Sequence, residues 1–181
     1  MKGFRWEWIA ALAVLGFWAL GAYNRVMALR GVVVAAWLQL DTVIQARQQA
    51  IGSLVDAVDV ALSSERSAID AMVAAQVRVA TSSEVVRRRP TSEEPLVVLA
   101  KSEVELAAAL TRLQALIEQL GDLRHEDAVA GPTKDIAELA VRERFLRQGF
   151  NDAANAYNAA VAQFPTRLLA RAFRFERAGT L

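Results

Sequence analysis

The sequence predicts an all-α protein in which a single N-terminal transmembrane helix continues into a long antiparallel, up-down-up-down helical bundle. Three observations carry that prediction. Ile9 to Ala22 is an unbroken apolar run bracketed by Trp6, Trp8 and Tyr23. Beyond it, apolar residues recur at alternating spacings of three and four along several long stretches, the pattern of helices that each bury one face. Ala, Leu, Val, Arg, Glu and Gln dominate, whereas Gly and Pro number only nine and four in 181 residues. Ala and the unbranched side chains lose little freedom in a helix.

The first element reads as an anchor. About 20 residues are needed to cross about 30 Å of hydrocarbon. The strictly apolar core falls short of that, but Phe4 to Leu29 suffices if Arg5 and Arg25 snorkel outward. The flanking aromatic rings suit headgroup level. A cleaved signal peptide is the competing reading, with Lys2 and Arg5 as its basic region and Ala19-Leu20-Gly21 as its cleavage site. Continuity of the helical pattern through Tyr23, Asn24 and Arg25 opposes it. Lys2 and Arg5 favour a cytoplasmic N-terminus, and Arg25 and Arg30 favour the reverse. The reading adopted is N-terminus inside, which puts the bundle outside a bacterial cytoplasmic membrane. The chain then divides into an anchor (residues 1–24), a four-helix bundle (25–165) and a basic amphipathic tail (166–181).

Within the bundle, the first helix is expected to run to about Gln49. The second starts near Ile51 and reaches the mid-80s, on a seam of Ile51, Val58, Glu65, Met72 and Val79 beside Leu54, Leu62, Ile69 and Gln76. The stretch Arg87 to Pro95 breaks it. Thr91 with Glu94 predicts a capping box, and Pro95 is tolerated in a first turn. The third helix carries Leu96, Leu99, Glu103, Leu106, Leu110, Leu113, Ile117 and Leu120, and Gly121 is suited to its left-handed cap. A loop from Asp122 to Pro132 follows, then a fourth helix capped by Thr133. Its seam repeats every seven residues through Ile136, Glu143, Phe150, Tyr157 and Phe164, with Leu139, Leu146, Ala153 and Ala160 between them. Short connections favour antiparallel neighbours. An extended coiled coil between chains is the alternative, disfavoured by prolines and a loop placed where turns are needed.

These residues resemble a known family. Tyr23 to Arg30 (YNRVMALR) and Ala36 to Asp41 (AWLQLD) are similar to the LemA signature, roughly YNxLVxLR followed by AWSxID. Arg47 to Val55 resembles its RRxDLIPNLV, and Ser64-Glu65 stands at its HE pair. Phe150 to Ala153 and Tyr157 to Val161, closing on Phe164-Pro165, resemble its YNDAV, YNxxI and FP. Gly52, Phe150, Ala75-Gln76 and Leu120 to Arg124 depart from the pattern. The resemblance implies a single-span membrane protein with a long antiparallel helical bundle and no assigned catalytic motif.

Composition excludes several chemistries. With no cysteine there is no disulfide, thiol nucleophile or Cys-ligated metal. A net charge of +1 gives no field calling for nucleic acid. No phosphate-cradling Gly-rich loop and no nucleophile–base pairing is evident, so no enzyme activity, cofactor or small-molecule substrate is expected. Four carboxylates interrupt the apolar seams: Asp41, Glu65, Glu103 and Glu143. Counted from the expected turns, Asp41 and Glu143 share one level and Glu65 and Glu103 another. Carboxylate-bridged metal bundles need Glu-x-x-His pairs as well, and the only histidine is His125, in a loop. The carboxylates are therefore read as structural polar residues that fix register. A cryptic metal- or proton-handling site is the alternative.

Basic residues cluster where the chain should return to the membrane. Arg87, Arg88 and Arg89 lie in the expected loop between the second and third helices. Arg167, Arg171, Arg174 and Arg177 interleave with Leu168, Leu169, Phe173 and Phe175 in the tail. Such mixtures suit anionic lipid or a membrane partner. The functional expectation is a membrane-anchored scaffold or adaptor that presents its bundle to protein partners, to copies of itself or to anionic lipid.

Overall fold

The computed structural model describes residues 4–173 and 175–181, apart from the side chains of Phe4, Leu169, Arg171 and Ala172. All regular structure among the described residues is helical. Helix α1 covers Phe4–Val58, 55 residues without interruption, or about 80 Å at 1.5 Å per residue. It has two environments. Near its start Trp6, Ile9, Leu12, Leu15, Phe17 and Leu20 are exposed. From Val26 onward one face is buried through Val26, Val33 and Leu40, interleaved with Trp37, Ile44, Ile51 and Val58. Among the described residues it is the one helix long and apolar enough to cross a membrane.

The first turn falls later than the sequence suggested. α1 does not stop near Gln49 but runs to Val58. One glycine inside a helix costs only about 1 kcal/mol, and at Gly52 that cost is outweighed by the flanking Ile51, Leu54, Val55 and Val58, all buried. The chain reverses instead through residues 59–65, which end in a single 3₁₀ turn at Ser63–Glu65. Helix α2 then covers Arg66–Arg88. The heptad pattern keeps phase across this turn, because Leu62 is buried while the chain reverses; periodicity therefore carried no mark of the break.

Helix α3 covers Glu93–Gln119. Ser92, not Thr91, is its N-cap, and no side-chain capping bond forms, so the expected capping box is absent. Gly121 takes a positive φ of 23° just past the C-cap Leu120, as a left-handed helix end requires. The expected loop to Pro132 is mostly helix. After a 3₁₀ turn at Leu123–His125, helix α4 covers Asp127–Ala162 with Pro132 inside it. A proline so close to a helix start removes a single ladder bond, and Val129, only 1% exposed, fixes this turn against the core. Thr133 is no cap: its hydroxyl donates to the carbonyl of Val129 within the helix.

α1 packs chiefly along α4, and α2 along α3, with α1 meeting α2 as well. Trp37 on α1 meets Phe150 on α4 edge to face, ring centres 6.0 Å apart. The Gln76 amide on α2 donates to the carbonyl of Gln48 at 3.0 Å, and Arg78 on α2 pairs with Glu105 on α3 at 2.7 Å. The predicted stripe of α3 is buried at Leu96, Leu99, Leu106, Leu113 and Ile117, each such side chain stabilising the fold by about 1.5–3 kcal/mol. Leu120 and Phe164, expected to extend two seams, lie beyond their helices and are exposed. A short helix α5, Thr166–Ala172, follows α4, and residues 175–181 have no regular secondary structure.

Candidate functional site

Two of the four seam carboxylates meet in one charged cluster. Glu103 lies 16 residues before the end of α3 at Gln119, and Glu143 lies 16 residues after the start of α4 at Asp127. That equal count puts them at one height, and Arg47 of α1 reaches both. Its Nη2 donates to Glu103 Oε2, and its Nη1 forms an ion pair with Glu143 Oε2 at 2.6 Å. Arg147, one turn along α4, donates to the other oxygen of Glu143 at 2.7 Å. Two guanidinium groups thus balance two carboxylates inside the helix packing. Arg47, Glu103 and Glu143 side chains are only 13%, 7% and 4% exposed. Burial pushes the Glu103 carboxyl above its ordinary range, against the attraction of Arg47, with the nearby Glu143 adding to the rise.

The other two carboxylates are not part of that cluster. Asp41, six residues before Arg47, is gripped by Arg87 from α2, with Nε at 3.0 Å from one oxygen and Nη2 at 3.1 Å from the other. Gln45 donates to the same carboxylate at 2.8 Å. Glu65 is not a seam residue: it ends the 3₁₀ turn before α2 and is half-buried. The levels inferred from sequence were displaced because α1 ends later and α4 starts earlier than expected. No group of three His, Asp or Glu side chains among the described residues is arranged to hold a metal ion.

The arginine triplet is divided by geometry. Arg87 is committed to Asp41 and Glu84, and Arg88 pairs with Glu84 at 3.3 Å. Arg89 forms no ion pair among the described residues, although its backbone N–H closes the end of α2. In the tail, Arg167 and Arg177 are exposed. Arg174 lies outside the described residues, as does the side chain of Arg171. Phe173 and Phe175 do not simply face outward. They pack on Tyr23 at the base of α1, ring centres 5.2 and 5.8 Å away. The loop and the tail thus converge near the start of α1's buried portion. Arg30, Arg88, Arg89, Tyr157, Phe175 and Glu176 line one shallow cavity there.

Sequence reasoning missed how the tail is held. Asn158 of α4 donates to the carbonyl of Ala178 at 2.8 Å and accepts from its N–H at 2.7 Å. Asn151, two turns earlier, makes the same pair of bonds with Leu181 at 2.7 and 2.8 Å. Beside the Asn158 rung, two residues earlier in the tail, the Tyr157 hydroxyl donates to the carbonyl of Glu176 at 3.0 Å. Burial raises the pKa of that phenol, with Arg30 opposing the rise and Glu176 adding to it. Two side-chain amides spaced by a heptad thereby do for the tail what a neighbouring strand does in a sheet, satisfying N–H and C=O together. Gly179 sits against α3, where a Cβ would come 2.7 Å from Glu93 Cα. The sequence signal was present: each asparagine directly follows a buried aromatic, in Phe150-Asn151 and Tyr157-Asn158.

Among the described residues this geometry defines an all-helical protein with one candidate membrane helix, its long helices packed together and joined by buried ion pairs. A family model for the LemA family matches residues 36–181, 146 of the 181 residues, and the chain belongs to that family. The match includes the tail and both asparagine rungs, and it begins after the YNRVMALR segment at Tyr23–Arg30. No curated protein matches the chain.

Proposed function

We propose that this chain is a single-pass scaffold or adaptor of the bacterial cytoplasmic membrane, without catalytic activity, with its N-terminus inside and its bundle outside. The observation that carries the reading is the unbroken α1, whose exposed apolar start passes without a linker into a buried core face. Partner residues on the paired helices support an antiparallel up-down-up-down arrangement. Asp41 meets Arg87 while the later Gln48 meets the earlier Gln76. Likewise Trp37 meets Phe150 while the later Arg47 meets the earlier Glu143. A bundle so arranged stands upright on its anchor and offers its outer faces to other proteins or to copies of itself. Those faces carry large exposed apolar side chains, including Val97 and Val104 on α3 and Val141 and Phe145 on α4.

The test is alkaline carbonate extraction of membranes, followed by crosslinking and native co-purification of the full chain. Retention in the pellet with a reproducible crosslinked partner or self-adduct is expected. Release by carbonate would refute the anchor, and an uncrosslinked monomer at native abundance would refute the scaffold role. Protease accessibility of the bundle in spheroplasts reads the orientation.

A further inference from the structure

We propose that the cavity at the base of the bundle binds the phosphate diester of one anionic phospholipid headgroup. Its source as a lipid rests on the reading that α1 crosses the membrane. The cavity has a volume of about 190 Å³, below the 300 Å³ or so at which pockets for larger organic ligands begin. It is sized for a small group. Three guanidinium groups line it, Arg30 from α1 and Arg88 and Arg89 from the end of α2, against the single carboxylate of Glu176. Arg30 and Arg89 make no ion pair among the described residues, so their planar forks are free to take phosphate oxygens in pairs. Thr91 and Ser92 add hydroxyls from the loop that closes the cavity.

Position selects the source of the phosphate. Arg30 is seven residues beyond Tyr23, about 10 Å along α1, and the exposed apolar run of α1 ends just before Tyr23. The headgroup layer is about 5–8 Å thick on each side of the hydrocarbon, and a downward-reaching arginine spans the remainder. In the sequence Arg30, the Arg88-Arg89 pair and the tail lie in three separate segments. The structure assigns the three to one cavity, closed on one side by the tail that Asn151, Tyr157 and Asn158 hold in place.

Native mass spectrometry of the full chain in detergent, with equal amounts of phosphatidylglycerol and phosphatidylcholine added, tests the proposal. Wild type should retain phosphatidylglycerol about tenfold or more over phosphatidylcholine. Arg30→Gln combined with Arg89→Gln should abolish the preference, and the double Lys variant should keep part of it. An unchanged melting temperature shows that each variant is folded. Equal retention of both lipids by wild type, or full preference in the Gln variant, overturns the proposal. If inorganic phosphate binds in an arginine-dependent way with no lipid preference, the lipid assignment is overturned. Carbonate extraction of the same variant separates the two readings, because release from the membrane counts against the anchor, whereas unaltered lipid preference counts against the cavity.

Discussion

Replacing Arg47 by Met tests whether the buried cluster holds the bundle as the geometry implies. Met keeps most of the aliphatic stem, so the change removes charge and hydrogen bonds with little loss of packing. Glu143 retains Arg147 at 2.7 Å. Glu103 loses its one ion-pair partner among the described residues while its side chain remains 7% exposed. Removing one partner of a buried pair costs about 3–5 kcal/mol, but a carboxylate can escape part of that by taking a proton. From an unfolded value near 4.5 to pH 7, at about 1.4 kcal/mol per pH unit, protonation sets a ceiling of roughly 3.5 kcal/mol. The expected loss at pH 7 is therefore about 3 kcal/mol, or a fall of roughly 6–12 °C in melting temperature for a chain of this size. The loss should shrink as pH falls. With the folded pKa above the unfolded one, the native state binds more protons between the two values, and stability rises on acidification through that window. Thermal melts of the full chain in detergent at pH 7 and pH 5 measure both. A loss that is small at pH 7, or equal at the two pH values, would refute the claim that Glu103 depends on Arg47.

Asn158→Ala removes both hydrogen bonds at Ala178 and should speed hydrogen exchange of the Ala178 amide roughly tenfold or more, leaving amides in the middle of α1 unchanged. Gly179→Ala should release the same segment, because the Glu93 backbone that its Cβ would meet at 2.7 Å cannot move aside without shifting the start of α3; limited proteolysis within residues 173–181 reads the effect, and wild-type resistance would contradict it. Asp41→Asn leaves Arg87 with a neutral partner and should cost about 1–2 kcal/mol in a denaturant melt, less than Arg47→Met, because the Arg87 side chain is 38% exposed and keeps Glu84.

Helix identity was legible because amphipathic spacing is a local property. The stripe from Leu96 to Ile117 and the repeat Ile136, Glu143, Phe150, Tyr157 are buried as the spacing required. Turn positions were less legible where the usual signals misled. Gly52 sits mid-helix because four buried neighbours outweigh it, and Pro132 is carried inside α4 because it follows the helix start closely. Conversely, residues 59–65 contain no Gly or Pro to mark the real reversal. The seam carboxylates were recognisable as polar interruptions, but their partners were not. Arg47, Arg87 and Arg147 come from different helices or turns, and placing the start of α4 at Thr133 instead of Asp127, six residues late, was enough to put Glu103 and Glu143 on separate levels. The tail reads in the sequence as a basic amphipathic segment for anionic lipid or a membrane partner, because the backbone groups through which α4 holds it leave no trace in residue type. Only the asparagines and Gly179 betray it.

The continuity of α1 gives these contacts their mechanical meaning. Sharp kinks arise at proline, at Gly/Ser pairs, at π-bulges or where a group inserts into the helix ladder; α1 contains no proline, and its one adjacent Gly-Ser pair, Gly52-Ser53, lies beyond Arg47. Rotation of the apolar end about the helix axis is therefore rotation of Trp37, Asp41 and Arg47, each locked to another helix through buried contacts. The polar clusters resist such rotation more specifically than apolar packing does, because slipping by one residue leaves a buried carboxylate unpaired, whereas leucines repack with smaller loss. The tail is the weaker part of the same frame. It is secured by five side-chain hydrogen bonds and by rings that remain partly exposed, and segments with few buried apolar contacts open at lower cost than the core. Force applied at that end of the packed helices would therefore displace the tail from Tyr23 and Asn158 before it disturbed the register set at Arg47.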